Sequence, residues 1–214
     1  MDTFYIYLKN RIDENLPGQP AQLKMAPKPN EGRTSYLPKL KNIRVNGVLI
    51  LLYNAPNNVK ELLLTLRTDT LPTHKGQISF PGGKTMEGES ITETALREAE
   101  EEVGLNTNSV HVLGTLTGLY LPNSNNYIYP VVGYIDDRPR LQINPAEVAE
   151  AFFVQLDTLL QTDNLKSKDW TIRNKTYNVP YWDVHPETPL WGATAMILSE
   201  FLTLYRDFKE KNDG

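Results

Sequence analysis

Between residues 89 and 104 the chain carries six glutamates around a single arginine, Arg97. On a helix turning about 100° per residue, Ile91, Ala95, Ala99 and Val103 form one apolar stripe. Glu98, Glu101 and Glu102 fall beside it at offsets of three and four. Like charges at such offsets repel by a few tenths of a kcal/mol per pair on an open surface, and more where partial burial strips their water. A bound cation relieves that repulsion. Oxygen ligands at this density suit Mg²⁺ or Mn²⁺, which bind through a few carboxylates, retained waters and the oxygens of a phosphate. Arg97 is placed to hold one carboxylate ionised and oriented. Glu93 and Glu100 point to the opposite side and read as a solvated face, which is the ordinary role of an acidic run standing alone.

The elements around this cluster are legible from punctuation and period. Ser90 and Glu93 make a capping box and Gly104 stands just past the end, so a helix is expected over Ser90–Val103. Upstream, Ile43–Tyr53 and Val59–Arg67 read as a hairpin split by the turn Asn54-Ala55-Pro56-Asn57-Asn58. Gln77–Phe80 is a short strand expected to stop at Pro81-Gly82-Gly83. Residues 4–14 suit a short helix, after which prolines and glycines break any regular period to about residue 40. Downstream, strands are expected at Val110–Leu121 and Tyr127–Ile135, then a mixed segment Glu147–Leu160 ending in a short helix. A second hairpin is expected at Trp170–Asn174 and Thr176–Trp182, and a terminal amphipathic helix at Trp191–Phe208. Strands with interspersed helices and no regular βαβ alternation imply a mixed sheet flanked by helices. The organisation expected is a lead-in arm over residues 1–40 and one domain over 41–210.

Gly83, five residues, Glu89, seven residues, and then Arg97-Glu98-Ala99-Glu100-Glu101-Glu102-Val103-Gly104-Leu105 form one continuous pattern. It resembles the signature of the Nudix hydrolases at all seven fixed positions: Gly83, Glu89, Arg97, Glu98, Glu101, Glu102 and Gly104. The resemblance implies an α/β (α+β) fold, an α/β/α sandwich with a mixed β-sheet, and a loop–helix–loop carrying a metal site for Mg²⁺ or Mn²⁺. By position it implies Glu98 and Glu102 as principal metal ligands and Glu101 as a further ligand or the group that activates water. Arg97 would orient a carboxylate, and Gly83 or Gly82 would add a carbonyl. The implied reaction is cleavage of a diphosphate: divalent cations neutralise the bridging phosphates while an activated water attacks one phosphorus and the other phosphate leaves.

Leu63-Leu64-Thr65-Leu66-Arg67-Thr68 and Gly76-Gln77-Ile78-Ser79-Phe80-Pro81-Gly82-Gly83 resemble the additional motif of the coenzyme A pyrophosphatase branch. Two positions depart from it: Thr68 stands where Ser or Ala is usual, and Pro72 where Arg is usual. The similarity continues through Tyr127–Gly133, Glu147-Val148 and Trp191–Ala195. It implies hydrolysis of coenzyme A or its derivatives to 3′,5′-ADP and 4′-phosphopantetheine, with Arg67, Lys75, Phe80 and Gly82 contacting substrate. Lys84 reads as a surface residue. The alternatives are a pyrophosphatase for ADP-ribose, another nucleoside diphosphate derivative or a damaged nucleoside triphosphate, and a non-catalytic nucleotide-sensing module. His74, His111 and His185 are scattered without metal-ligand spacing. The aromatic stretch Tyr120–Tyr134 suits ordinary strand packing better than adenine stacking.

Composition sets the bounds. The 214 residues are 40% hydrophobic and 22% charged, the balance of a globular chain with a sizeable core. A formal charge of −4 gives no basic footprint for nucleic acid or acidic lipid, so a polyanionic substrate needs local cations. With no cysteine, thiolate metal sites and cysteine nucleophiles are excluded. Met1–Leu16 intersperses charges among its apolar residues and reads as neither signal peptide nor membrane span. The expected partner is a small nucleotide, with a homodimer possible, in the cytoplasm, and with no nucleic acid or membrane.

Overall fold

The structure, a computed structural model, describes residues 2–29, 42–69, 75–172 and 174–212. Helix α1 (Thr3–Glu14) starts at Asp2, whose carboxylate accepts the Phe4 N–H at 2.8 Å. A short helix α2 (Gly18–Gln22), a 3₁₀ turn (Leu23–Met25) and a two-residue strand β1 (Lys28–Pro29) follow. Strands β2 (Arg44–Ala55) and β3 (Val59–Arg67) form the expected hairpin, and β4 (Ile78–Ser79) and β5 (Gly82–Lys84) lead into α3 (Ile91–Val103). The chain continues through β6 (His111–Thr115), β7 (Leu119–Leu121), β8 (Asn126–Ile135), β9 (Val148–Gln155) and α4 (Leu156–Leu160). It ends with β10 (Leu165–Ile172), β11 (Lys175–Trp182) and α5 (Gly192–Asn212).

The main sheet is mixed and has eight strands: β4, β3, β2, β8 and β6 in order, with β5 on β2, β7 on β8 and β9 on β3. Strands β2 and β8 run parallel from Arg44↔Asn126 to Tyr53↔Ile135, and the other pairs are antiparallel. Helices cover both faces of this centre, which explains the near-continuous apolar run of β2. Leu49, Leu51 and Tyr53 pack with Ala95, Ala99 and Val103 of α3 on one face. Ile50 and Leu52 pack with Phe4, Leu8, Phe201 and Leu204 of α1 and α5 on the other. The result is the α/β/α sandwich with a mixed sheet. A smaller antiparallel sheet, β1-β11-β10, stands beside it.

Three local expectations are revised. Pro81-Gly82-Gly83 does not end the pairing: Gly82–Lys84 forms β5 against Val48, Gly47 and Asn46. A side chain at Gly82 would meet the Gly47 carbonyl oxygen at 2.5 Å, so glycine permits the approach. The single strand expected at 110–121 is two, β6 and β7, with a register shift beside Gly114. Residues 17–29, which carry no regular period, are ordered from outside by α5. Buried Glu200 accepts the Gly18 N–H (3.0 Å) and the Gln22 amide (2.8 Å), and Ser199 Oγ donates to the Ala21 carbonyl (2.8 Å). Among the described residues no helix is long and apolar enough to cross a membrane.

Candidate active site

Helix α3 is anchored at both ends by its own sequence. Ser90 Oγ accepts the Glu93 N–H (3.2 Å), and Glu93 accepts the Ser90 N–H (2.8 Å), which is the predicted capping box. Gly104 closes the helix in a left-handed conformation at φ 65°. The last turn is satisfied from a distance: the Gln142 N–H donates to the Val103 carbonyl (2.8 Å) and the Asn144 N–H to the Glu102 carbonyl (2.9 Å). Gly47 lets the helix sit on β2, since a Cβ there would lie 2.7 Å from the Ile91 carbonyl oxygen. Gly83 leaves room for a carboxylate, because its Cβ would overlap Glu98.

Arg97 organises the first half of the cluster. Its Nε donates to Glu89 at 2.7 Å and its Nη2 to the other Glu89 oxygen at 3.1 Å, a bidentate pair. Nη2 also reaches the Lys84 carbonyl (3.1 Å), and Nη1 binds Glu98 (2.8 Å) and Glu101 (3.2 Å). Glu89 further accepts from the Met86 N–H (3.0 Å) and the Thr94 hydroxyl (2.8 Å). The Arg97 guanidinium first, and then the Met86 N–H, hold the Glu89 carboxyl down at about 2.

Glu102 sits in the opposite environment. It is 1% exposed, with Oε2 accepting the Gly82 N–H (3.1 Å) and Oε1 accepting from Arg67 Nη1 (3.2 Å). Burial pushes its carboxyl up to about 7 against the pull of Gly82 and Arg67, helped by the charges of Glu147 and Glu98. Glu98 is also raised, mainly by burial, with Arg97 opposing and Glu101 and Glu147 adding to the rise.

The structure therefore brings Glu98, Glu102, Arg97, Glu89, Gly82, Gly83 and Arg67 together. Glu101 departs from the expected three-way convergence: half-exposed, it is drawn outward onto Arg97. Among the described residues no three carboxylate or imidazole side chains stand as a finished metal site. Arg97 pairs with Glu89, Glu98 and Glu101, and Arg67 with Glu102. The donor set still fits a hard divalent ion: it is all oxygen, and its deepest member is a charge that burial disfavours.

Of the expected substrate residues, Arg67 is engaged by Glu102 and Lys75 is exposed just before β4. Phe80 is a correction: it is buried in the core on the α5 side, so its ring supports the sheet rather than presenting a surface to substrate. Pro72 and His74 lie outside the described residues. His111 and His185 hydrogen-bond to Asp136 and Glu150 and not to the carboxylate cluster. Tyr134 stacks on Tyr5 at 4.1 Å, and Tyr127 stacks on Tyr129 at 4.8 Å, as strand packing requires. Glu147, whose charge adds to the rise at Glu98 and Glu102, is a neighbour of the cluster that helix spacing did not single out. It stands in a turn before β9, and only its sequence neighbourhood with Val148 pointed to it.

The NUDIX domain family model matches residues 43–175. A protein of Caenorhabditis elegans named Nudix hydrolase 3 is 34% identical over 167 residues, covering 71% of this chain and 70% of its own length. An uncharacterized Nudix hydrolase, NudL, of Photorhabdus laumondii is 41% identical over 142 residues, covering 65% and 74%. Among solved structures, a MutT/nudix family protein from Enterococcus faecalis has a TM-score of 0.53 at 16% identity, covering 80% of this chain and 66% of that one. The Nudix hydrolase RenU of M. smegmatis has a TM-score of 0.51 at 16% identity, covering 88% and 95%. These last two are likenesses of fold.

Proposed function

The chain belongs to the Nudix hydrolase family, enzymes that cleave phosphoanhydride bonds, and from that premise we propose that it hydrolyses the diphosphate of coenzyme A or its derivatives to 3′,5′-ADP and 4′-phosphopantetheine. In this reading residues 41–210 are the catalytic domain, residues 1–40 its arm and the cytoplasm its setting. Glu98 and Glu102 would hold Mg²⁺ or Mn²⁺, with Glu101, Glu147 and a Gly82 or Gly83 carbonyl as further oxygen donors. When bound, the cation neutralises the bridging phosphates and lowers the pKa of water. The protein does the rest. Arg97 fixes the Glu98 carboxylate, Glu101 takes the proton of the attacking water, and Arg67 shares its guanidinium between Glu102 and the diphosphate. Lys75 meets the 3′-phosphate or the diphosphate.

One observation carries the chemistry: Glu102 is a buried carboxylate whose charge Glu98 and Glu147 further disfavour, with the Gly82 N–H and Arg67 opposing them among the described residues. The coenzyme A assignment rests on the Arg67 and Gly76–Gly83 motif. A second reading, hydrolysis of ADP-ribose or a nucleoside triphosphate, is favoured by the commitment of Arg67 to Glu102, which leaves fewer cations for a 3′-phosphate. The test is a product assay with coenzyme A, acyl-coenzyme A, ADP-ribose and nucleoside triphosphates, each with Mg²⁺ and Mn²⁺. Release of 3′,5′-ADP from coenzyme A is expected. No such release, with ready cleavage of ADP-ribose or a triphosphate, would overturn the coenzyme A assignment in favour of the second reading.

A further inference from the structure

The turn that carries Glu147 is tied to two other parts of the site at once. The Asn144 N–H donates to the Glu102 carbonyl (2.9 Å), and the Asn144 carbonyl accepts the N–H groups of Glu147 (3.0 Å) and Val148 (2.9 Å). The Asn144 side chain closes the turn from within, its Oδ1 accepting the Ala146 N–H at 3.1 Å. From the other side Thr68, next to Arg67, donates its N–H to the Glu147 carbonyl (3.0 Å) and its hydroxyl to the Ala146 carbonyl (3.3 Å). The pairing of β3 with β9 shifts register at this point: Leu66 lies across from Glu150 but Arg67 from Val148, which leaves Ala149 as an extra residue. Such a bulge re-aims the chain that leaves it.

Glu147 is half-buried, and its charge is felt at both Glu98 and Glu102. Carboxylates that repel one another separate unless the chain holds them together. Here the chain does so twice. Asn144 joins the main chain of Glu102 to that of Glu147, and Thr68 joins the same turn to the end of β3 beside Arg67. Groups that hold a ligating carboxylate in place set the affinity for a cation without touching it.

We propose that Asn144 and Thr68 are positioning residues that hold Glu147 against Glu98 and Glu102, so that a divalent cation can draw on all three carboxylates. This rests on the reading of Glu147 as an oxygen donor, and it is independent of which nucleotide is cleaved. Neither residue touches the cation or the substrate. The side-chain contribution of Asn144 is the closure of the turn at Ala146, and that of Thr68 is its hydroxyl on the Ala146 carbonyl. Both are removable without deleting a main-chain tie.

The test measures Mn²⁺ binding by calorimetry to the full chain, to Asn144→Ala and Thr68→Val, and to each of these combined with Glu147→Gln. Asn144→Ala and Thr68→Val should each weaken Mn²⁺ binding about tenfold. Asn144→Ser and Thr68→Ser should recover most of the loss, because a hydroxyl can still close the turn or reach the carbonyl. In the Glu147→Gln background the same two substitutions should change the affinity little, since the group they position no longer carries a charge. A purely structural role would lower affinity by the same factor in both backgrounds, and that result overturns the proposal. So does an affinity unchanged in both Asn144→Ala and Thr68→Val. Glu147→Gln binding Mn²⁺ as tightly as the parent overturns the donor reading and the proposal with it. Coenzyme A hydrolysis is followed on the same samples. If it fails while the coupling to Glu147 holds, the substrate assignment falls and the positioning role stands.

Discussion

The two ends of the Nudix helix use the same residue type to opposite effect. At its start Glu89 is held by Arg97 through two hydrogen bonds, by Met86 and by Thr94, and its carboxyl is drawn down to about 2. In its last turn Glu102 is buried against Gly82 and Arg67 with Glu147 and Glu98 nearby, and its carboxyl is driven up to about 7. The first arrangement satisfies itself. The second leaves a buried charge that protonation or a further cation relieves, and such mismatches mark functional sites more often than structural ones. One helix thus joins a rigid mount to an unsettled binding end.

The sharpest way to break this contrast is Glu102→Gln, which keeps the shape and removes the charge. Turnover should fall on the order of a thousandfold, measured with whichever nucleotide the product assay identifies. The metal-free variant should melt no lower than the parent at pH 8, because a disfavoured buried charge is gone. At the other end, Arg97→Ala leaves Glu89, Glu98 and Glu101 facing one another without their cation. A lower midpoint in urea unfolding is expected; an unchanged midpoint would remove the distinction between mount and binding end.

The pH dependence of stability separates the two ends again. Glu102 has a folded value above the ordinary 4.5, so between about 4.5 and about 7 the unfolded chain releases the proton first. Metal-free protein should therefore lose stability as pH rises through that window, by on the order of 3 kcal/mol at most, and Mg²⁺ should restore it above pH 7. Glu89, with its folded value below 4.5, acts in the other sense: its contribution is present above about 4.5 and is lost as pH falls toward about 2. Unfolding curves across pH 3 to 8 with and without Mg²⁺ check both signs. The smallest effect is expected from Glu100→Gln, whose exposed side chain faces away from the cluster. It should change turnover by less than about twofold, and a large loss would mean that the metal lies on the outer face of α3.

What the sequence made legible was local. Ser90, Glu93 and Gly104 mark the ends of α3 because caps act within a few residues, and Asn57 and Asn58 mark the β2–β3 turn because asparagine tolerates the positive φ found there. The motif located the carboxylates, but spacing on a helix did not reveal that Arg97 draws Glu101 outward, since that outcome depends on a balance of charges in space. Glu147 and the pairing of Gly82–Lys84 with β2 were hidden for the same reason: each is set by a partner distant in the chain. Residues 17–29 show the limit most plainly, because their order depends on Glu200 and Ser199 of the last helix.

The parallel pairing of β2 with β8 has a consequence for how the site comes into being. The two strands join partners roughly eighty residues apart, and closing so long a loop is slow compared with forming a helix turn. During synthesis α3 leaves the ribosome before β8 does, so the acidic helix is free to form early over a floor that is only half built. Gly47 gains its partner Tyr129 only when β8 docks, whereas Gly83 and Glu98 meet neighbours that are already made. The mount of the acidic helix is therefore available early, and β8 completes the sheet beneath it late.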